Sequence, residues 1–421
     1  MNEAFLFFAW KFRLFSNFPL HTISGETIEI VKPGELNTDA GPDFFNARVK
    51  IGDTLWAGNI EMHLKASDWL KHGHQKNNAY HNIILHVVYE ADITIPDMNF
   101  SVFELRHFLD KGLWDKYRKM HDNESWIPCA AHLGDVDPIT LFSAIDRMLL
   151  EKLEIKTAAW KARLQMQTGN WEALLYQQLA SNFGFKINST PFQLLAQDLP
   201  YHLLMRYREN TFAIEALVFG QSGLLQLAKE KDAYTDALLK EYKHLARKHH
   251  LKPIDAHLWK FLRMRPMNFP SIRLAQFADL IVQSNHLFSR MLHCNTLLEF
   301  ENLFDLHVSD YWNAHFVLGK QSKNIIKKMG INSIHNILIN SILPFVFFYG
   351  KQKNEEHYCH LALDILKEMP AEKNQVINKW VQAGVKPENA HDSQGLLFLK
   401  ENFCFQKKCL SCGIGKNILR N

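Results

Sequence analysis

GPDFFNARVKIGDTLWAGNIEMHLKASDW, residues 41–69, reads as two strands joined by a turn. NARVKI and the IEMHLK end of the second run alternate apolar and polar residues, the period of two of a strand with one face buried. GDT between them supplies the turn. Strand side chains alternate faces, so Glu61, His63 and Lys65 share one face while Met62 and Leu64 share the other. Asp43 opens the preceding strand of this hairpin and can reach the same end of the sheet. An acid, an imidazole and an amine at alternate positions of a strand that reads as buried is the feature that any account of the chain has to explain.

Outward from this hairpin, residues 3–15 place Phe5, Phe8, Phe12 and Phe15 at helical spacing. ETIEIV alternates as a strand, and Pro33 and Gly34 end it. ASDWLKHGHQKNNAYHN is helix-compatible, with Ser67 as candidate N-cap. IILHVVYEA is the apolar run of an interior strand, and NFSVFELRHF can add another. The expected order is helix, three strands, helix, strand. From Asp137 onward apolar residues recur at helical spacing, first over DPITLFSAIDRMLLEKLEIKTAAWKARLQMQ. Further helices are expected at Trp171–Asn182, Pro191–Ala196, Ile214–Val218, Tyr234–Lys248, Ile272–Leu287 and Asn332–Phe348. The fold class is therefore α+β. A mixed α/β domain (1–125) precedes a large all-α body (126–400) and a short Cys-rich tail (401–421).

The composition agrees with a folded chain of two to three domains. It has 421 residues, 47% hydrophobic and 22% charged. A formal net charge of +4 admits a nucleic-acid partner without arguing for one. The N-terminus carries Glu3 where a secretion signal wants positive charge, and Lys11 and Arg13 break its apolar run. The apolar run Ile337–Tyr349 contains Asn340 and Pro344 and is too short for a bilayer. The reading is a cytoplasmic, bacterial-style protein that does not enter a membrane; its oligomeric state is not legible.

Asp43 and Glu61 together offer hard oxygen ligands for Mg²⁺ or Mn²⁺. Such an ion polarises a phosphodiester and lowers the pKa of an attacking water; His63, or Lys65 in its place, would position that water or offset charge. PDF before a strand, a turn, then IEMH inside an apolar strand, then helix and strand, resembles the PD-(D/E)XK nuclease superfamily over about residues 1–110. The resemblance implies that Asp43 matches the motif Asp and Glu61 the motif Glu. His63 stands where that pattern has Lys, and Lys65 is two residues further on the same face. Gly34, Glu35, Asn37, Asp39 and Gly41 make the approach to Asp43 polar and turn-rich. Nearly the whole chain resembles an uncharacterised bacterial family of unknown function, through NTDAGPDFFNARV, GNIEMHLKASDWLKHGHQKNNAYHNIILHVVYE, FPSIRLAQFADLI and the Cys-rich end.

The expectation is a metal-dependent, nuclease-like phosphodiesterase acting on DNA or RNA. One competing reading is a solvated sheet face, with Glu61 and Lys65 paired and Asp43 capping a turn. A second is a non-catalytic nucleic-acid- or protein-binding module derived from the same fold. A third is a His-ligated metal hydrolase, because His63, His72, His74, His81 and His86 fall close together and Zn²⁺ or Fe²⁺ suits imidazole with Asp68. Asp68, Trp69, His72 and His74 are candidate substrate-positioning residues beside the acid pair.

Cys404, Cys409 and Cys412 crowd the C-terminus, which in a chain without a secretion signal points to metal binding before disulfides. CLSCG resembles a zinc knuckle. Zinc or an iron–sulfur cluster needs a fourth ligand, and Cys129, Cys359, His357 and His360 are candidates. Some PD-(D/E)XK nucleases hold an iron–sulfur cluster on one remote Cys and three near the C-terminus, so that resemblance implies Cys129. Lys240–Lys252 and Lys320–Gly330 read as basic helices suited to a phosphate backbone or to solvent. Trp259, Arg263, Arg265, Phe269 and Arg273 interleave as base-stacking residues would, or as a helix–helix core with snorkelling Arg.

Overall fold

The computed structural model describes residues 1–37, 40–96, 98–228, 230, 232–283 and 286–420. Asp39 and the last turn expected before Leu287, residues 284 and 285, lie outside them. The chain divides into two compact units, one of residues 1–145 with 398–421 and one of residues 146–397. Where the sequence suggested breaks after residues 125 and 400, these divisions fall after 145 and 397, and the Cys-rich tail belongs to the N-terminal unit. The fold is α+β, with one mixed sheet in the first unit and a helical second unit.

In the first unit, helix α1 (Glu3–Phe12) starts where Asn2 accepts the Phe5 N–H at 3.0 Å and ends where Arg13 turns left-handed. It therefore stops short of Phe15, which instead bridges to Leu109. The strands are β1 (Leu20–His21), β2 (Thr27–Lys32), β3 (Glu35–Leu36), β4 (Phe44–Ile51), β5 (Thr54–Lys65), β6 (Ile83–Glu90) and β7 (Ser101–Glu104). Their order is β1-β2-β4-β5-β6-β7, with β3 paired to β4. β2, β4 and β5 run antiparallel, whereas β6 and β7 run parallel to the second half of β5. Ile60 and Met62 of β5 and Leu85 and Val87 of β6 bury one sheet face against Leu6, Ala9 and Trp10 of α1. Gly58 lets β5 approach β6: a Cβ there would lie 2.5 Å from Ile84 Cγ2 and 2.7 Å from the Asn82 carbonyl oxygen.

The segment between β5 and β6 departs from the single helix expected. It holds a four-residue helix, α2 (Asp68–Lys71), then two 3-10 turns at His74–Lys76 and Asn78–Tyr80. Gly73 breaks the helix with φ of 73°, and the Ser67 hydroxyl bonds Asp92 at 2.8 Å rather than capping α2. The unit is completed by α3 (Lys111–Asp122) and the start of α4 (Pro138–Met166).

The second unit is built of helices around one apolar core that includes Leu174, Phe183, Phe219, Phe277, Trp312 and Phe345. Trp171–Phe183, Ser189–Asp198, Thr211–Gln221, Ala233–His249, Pro270–Gln283 and Ile331–Lys353 lie where helices were expected. The last is longer than the apolar run read from the sequence. By length and composition it could cross a bilayer, but 67% of its most apolar window is buried within the protein, as in a core helix. The basic run 320–330 is not a helix: Lys320–Gln321 pairs with His315–Val317 and the rest is irregular. Lys327 is buried there, its ammonium donating to the Asn313 carbonyl at 2.7 Å and lying 4.2 Å from the centre of the Phe316 ring. Trp259 and Arg273 are core residues. The Arg273 guanidinium is held by Asn268, Gln276 and Ser333 at 2.7–2.9 Å.

Candidate metal centre

The sheet face opposite α1 carries the polar residues singled out by alternation. β4 begins at Phe44, which pairs with Ile60, so Asp43 sits at the strand's entrance beside Glu61. The register slips between Phe44 and Ala47, where Asn46 adopts φ of 56°; this is a bulge of the kind that re-aims side chains next to sites. Two bonds then lock the acids together. The Met62 N–H donates to Asp43 Oδ2 at 2.9 Å, and the Asp43 N–H donates to Glu61 Oε2 at 3.2 Å.

Glu61 and His63 are 4% and 2% exposed. The parallel register sets Glu61 opposite His86, and His86 Nε2 lies 2.9 Å from His63 Nδ1. The other nitrogen, His63 Nε2, is 3.1 Å from His72 Nδ1 and 3.5 Å from Glu61 Oε1. His74 Nε2 is 3.2 Å from the same Glu61 oxygen, yet is aligned for no hydrogen bond and is buried without one. Left-handed Gly73 is what turns His72 and His74 both toward His63, and Tyr80 backs His74 at a ring distance of 4.0 Å. One donor atom each from His63, His72 and His74 lie within 4.8 Å of one another. Trp69 is buried beneath them, edging on His74 and His86 at 5.3 Å.

Burial pushes Asp43 up to about 6, with the Glu3 charge adding and the Met62 N–H and His72 opposing. Burial, then the Asp43 charge, pushes Glu61 up to about 8. Burial followed by the neighbouring imidazoles His74 and His72 lowers His63 to about 4, and burial with His63 beside it lowers His86 to about 3. His63 and His86 are therefore neutral at pH 7, and a neutral His63 has a lone pair to donate. With His63 Nε2 as a ligand, its Nδ1–H would donate to His86 Nε2, the outer-shell bond that fixes a metal-binding tautomer.

Asp43, Glu61, His63, His72 and His74 thus converge. Asp68 does not join them; it accepts the Lys65 N–H at 3.1 Å and pairs with Lys71 at 2.7 Å. Lys65 ends β5 exposed, with its charge beside Asp92, so the solvated Glu61–Lys65 face is not what forms. Tyr80, Glu3 and His86 belong to the surroundings of the site but were not assigned to it from sequence. Tyr80 has no periodic signal, and His86 in an apolar strand reads as a core residue until the register is known. Cys129, Cys404, Cys409 and Cys412 gather elsewhere in the same unit. Cys359 does not join a metal trio among the described residues; it lies in the helical unit with its Sγ 3.6 Å from the Phe347 carbonyl.

The fold and this carboxylate–imidazole cluster define a mixed α/β unit with a candidate metal centre. The chain belongs to the family described as protein of unknown function DUF2851, whose model matches residues 3–375. Nothing among the curated proteins or the solved structures matches the chain.

Proposed function

We propose that the chain is a metal-dependent phosphodiester hydrolase acting on nucleic acid, with Asp43 and Glu61 as ligands of the catalytic ion. The carrying observation is the locked pair of half-buried Asp43 and buried Glu61, with two imidazole nitrogens, of His63 and His74, within 3.5 Å of one Glu61 oxygen. With both carboxyls raised, the pair is only partly ionised at pH 7, and a divalent ion would supply the charge that favours its full ionisation. The order of elements supports the nuclease-like reading: a helix, antiparallel strands, a short helical crossing and a parallel strand, with the acids at the entrance of one strand and inside the next. The mixed oxygen and nitrogen donors suit Mn²⁺ better than Mg²⁺. The ion would polarise a phosphoryl oxygen and acidify a bound water. Neutral His63, backed by His86, would then be a ligand or a proton acceptor rather than the cation that the usual Lys supplies.

A second reading is a hydrolase whose Zn²⁺ or Fe²⁺ rests on His63, His72 and His74, favoured by the convergence of their donor atoms within 4.8 Å. Nicking of supercoiled DNA and cleavage of single-stranded RNA with Mn²⁺, Mg²⁺ or Zn²⁺ test both. Wild type should cleave only with added metal, and Glu61→Ala should lose at least about 100-fold. Cleavage by Glu61→Ala at the wild-type rate removes the acid-pair mechanism. A wild-type protein that binds no divalent ion leaves the non-catalytic binding module.

A further inference from the structure

Two segments at opposite ends of the sequence meet in the N-terminal unit. Cys129 follows Pro128 and heads the turn Ala130–Asp135. Cys404 closes the π-helical turn Lys400–Cys404, and Cys409 and Cys412 frame the turn Cys409–Ser411. Lys400 pins the two together, donating to the Trp126 carbonyl at 2.6 Å and lying 5.1 Å from the centre of its ring. The terminal helix Gly413–Arg420 packs on the 130–135 turn and on α3, and its Lys416 and Arg420 lie over the Phe12 ring of α1 at 5.8 and 5.3 Å. Gly415 allows the tight return of this helix, since a Cβ there would lie 2.3 Å from the Cys409 carbonyl oxygen.

The four thiols lie within electrostatic reach of one another in every pairing: Cys129 with Cys409 and Cys412, Cys404 with Cys129, Cys409 and Cys412, and Cys409 with Cys412. None forms a disulfide, and Cys129, Cys409 and Cys412 are each 7% exposed. A fold that gathers four free thiols from two distant segments, three of them buried, gains nothing from their packing that alanine or valine would not supply. Zinc takes four thiolates in a tetrahedron and a four-iron, four-sulfide cluster takes one thiolate per iron, so a quartet of thiols suits either.

We propose that Cys129, Cys404, Cys409 and Cys412 together ligate one thiolate-bound metal centre, a zinc ion or a four-iron, four-sulfide cluster, that ties residues 398–421 to the 126–135 turn. Each thiol loses its proton as its sulfur bonds the metal; one zinc ion, or two ferrous, two ferric and four sulfide ions, are the co-reactants, with no net change of oxidation state. This site is independent of the acid–imidazole centre and stands whether or not that centre is catalytic. The test uses the full-length chain, purified without oxygen and, in parallel, reconstituted with zinc or with ferrous and ferric iron plus sulfide. A brown protein with about four iron and four sulfide per chain identifies the cluster, and a colourless one with zinc bound through sulfur identifies the ion; either supports the site. Cys129→Ser, checked for folding by circular dichroism, should lose that metal, and Cys359→Ser should keep it. A protein that holds no thiolate-bound metal after reconstitution, or a folded Cys129→Ser that keeps the full metal content, would each overturn the assignment. The wild-type metal analysis decides even if the Cys129 variant fails to fold.

Discussion

Adding Mn²⁺ to the metal-free protein at pH 7 should release about one proton per ion bound. The number follows from the acid pair. A carboxyl raised to about 8 is roughly nine-tenths protonated at pH 7, and one raised to about 6 is roughly one-tenth protonated. The two interact, so the proton belongs to the pair rather than to Glu61 alone. Both must ionise to ligate the ion, whereas His63, lowered to about 4, is already neutral and has no proton to give up. Apparent affinity should therefore rise close to tenfold per pH unit between about 6 and 8. Calorimetric titrations in two buffers of different ionisation enthalpy measure the release directly. Glu61→Gln has no carboxyl proton at this position, so its release should fall toward zero while binding weakens. Binding with no proton release in wild type, or equal release in wild type and Glu61→Gln, would refute the picture of a protonated pair awaiting a cation.

The same pair sets a pH dependence of stability. Both folded-state values lie above the ordinary ones of 3.8 and 4.5, so between about pH 4.5 and 8 the folded protein holds more protons than the unfolded chain. Stability of the metal-free protein should then fall as pH rises through that window, by on the order of a few kcal/mol, and Mn²⁺ should restore it; thermal melts from pH 5 to 8 with and without the ion check this. His86→Phe should keep the fold but weaken metal binding about 10- to 100-fold, because the bond that orients His63 is lost; calorimetry at fixed pH reads it. Gly58→Ala should cost about 1–3 kcal/mol in urea unfolding, since the Asn82 carbonyl that a Cβ would strike is backbone and cannot move aside. Arg273→Met should cost about 2–3 kcal/mol, leaving Asn268, Gln276 and Ser333 without their buried donor.

The strands of the hairpin and the shared face of Glu61 and His63 were legible because period two survives any tertiary context that keeps the strand. The 67–82 segment was not, because helical composition says nothing about one left-handed glycine: Gly73 ends α2 and carries His72 and His74 to His63. His86 was ambiguous until the parallel register placed it opposite Glu61. In the 320–330 run, charge count suggested a solvated helix, but the Asn313 carbonyl and the Phe316 ring accept the Lys327 ammonium and hold the chain irregular. The choice of Cys129 over Cys359 as partner of the tail could not be read from spacing, since it depends on Lys400 meeting Trp126 across the length of the chain.

The position of Glu61 within β5 explains why an acid there differs from an acid elsewhere on the same strand. β5 is exposed over Thr54–Ala57, where only the antiparallel partner β4 covers it, and buried from Ile60 to His63, where β6 joins it. Pairing with β4 stops at Ile60, because Phe44 is the first residue of that strand. Glu61 is therefore the first polar position that is buried by the parallel pair and no longer opposed by a β4 side chain, and Asp43 fills the space that the missing partner would have taken. Moving the acid two residues toward the turn would leave it only half-buried, as Asn59 is. Moving it two residues onward, to His63, would take it beyond reach of the Asp43 N–H that now donates to Glu61. The desolvation that raises both carboxyls and the contact that couples them thus arise from one topological fact, the change of strand direction beside β5, and the bulge at Asn46 aims Asp43 into it.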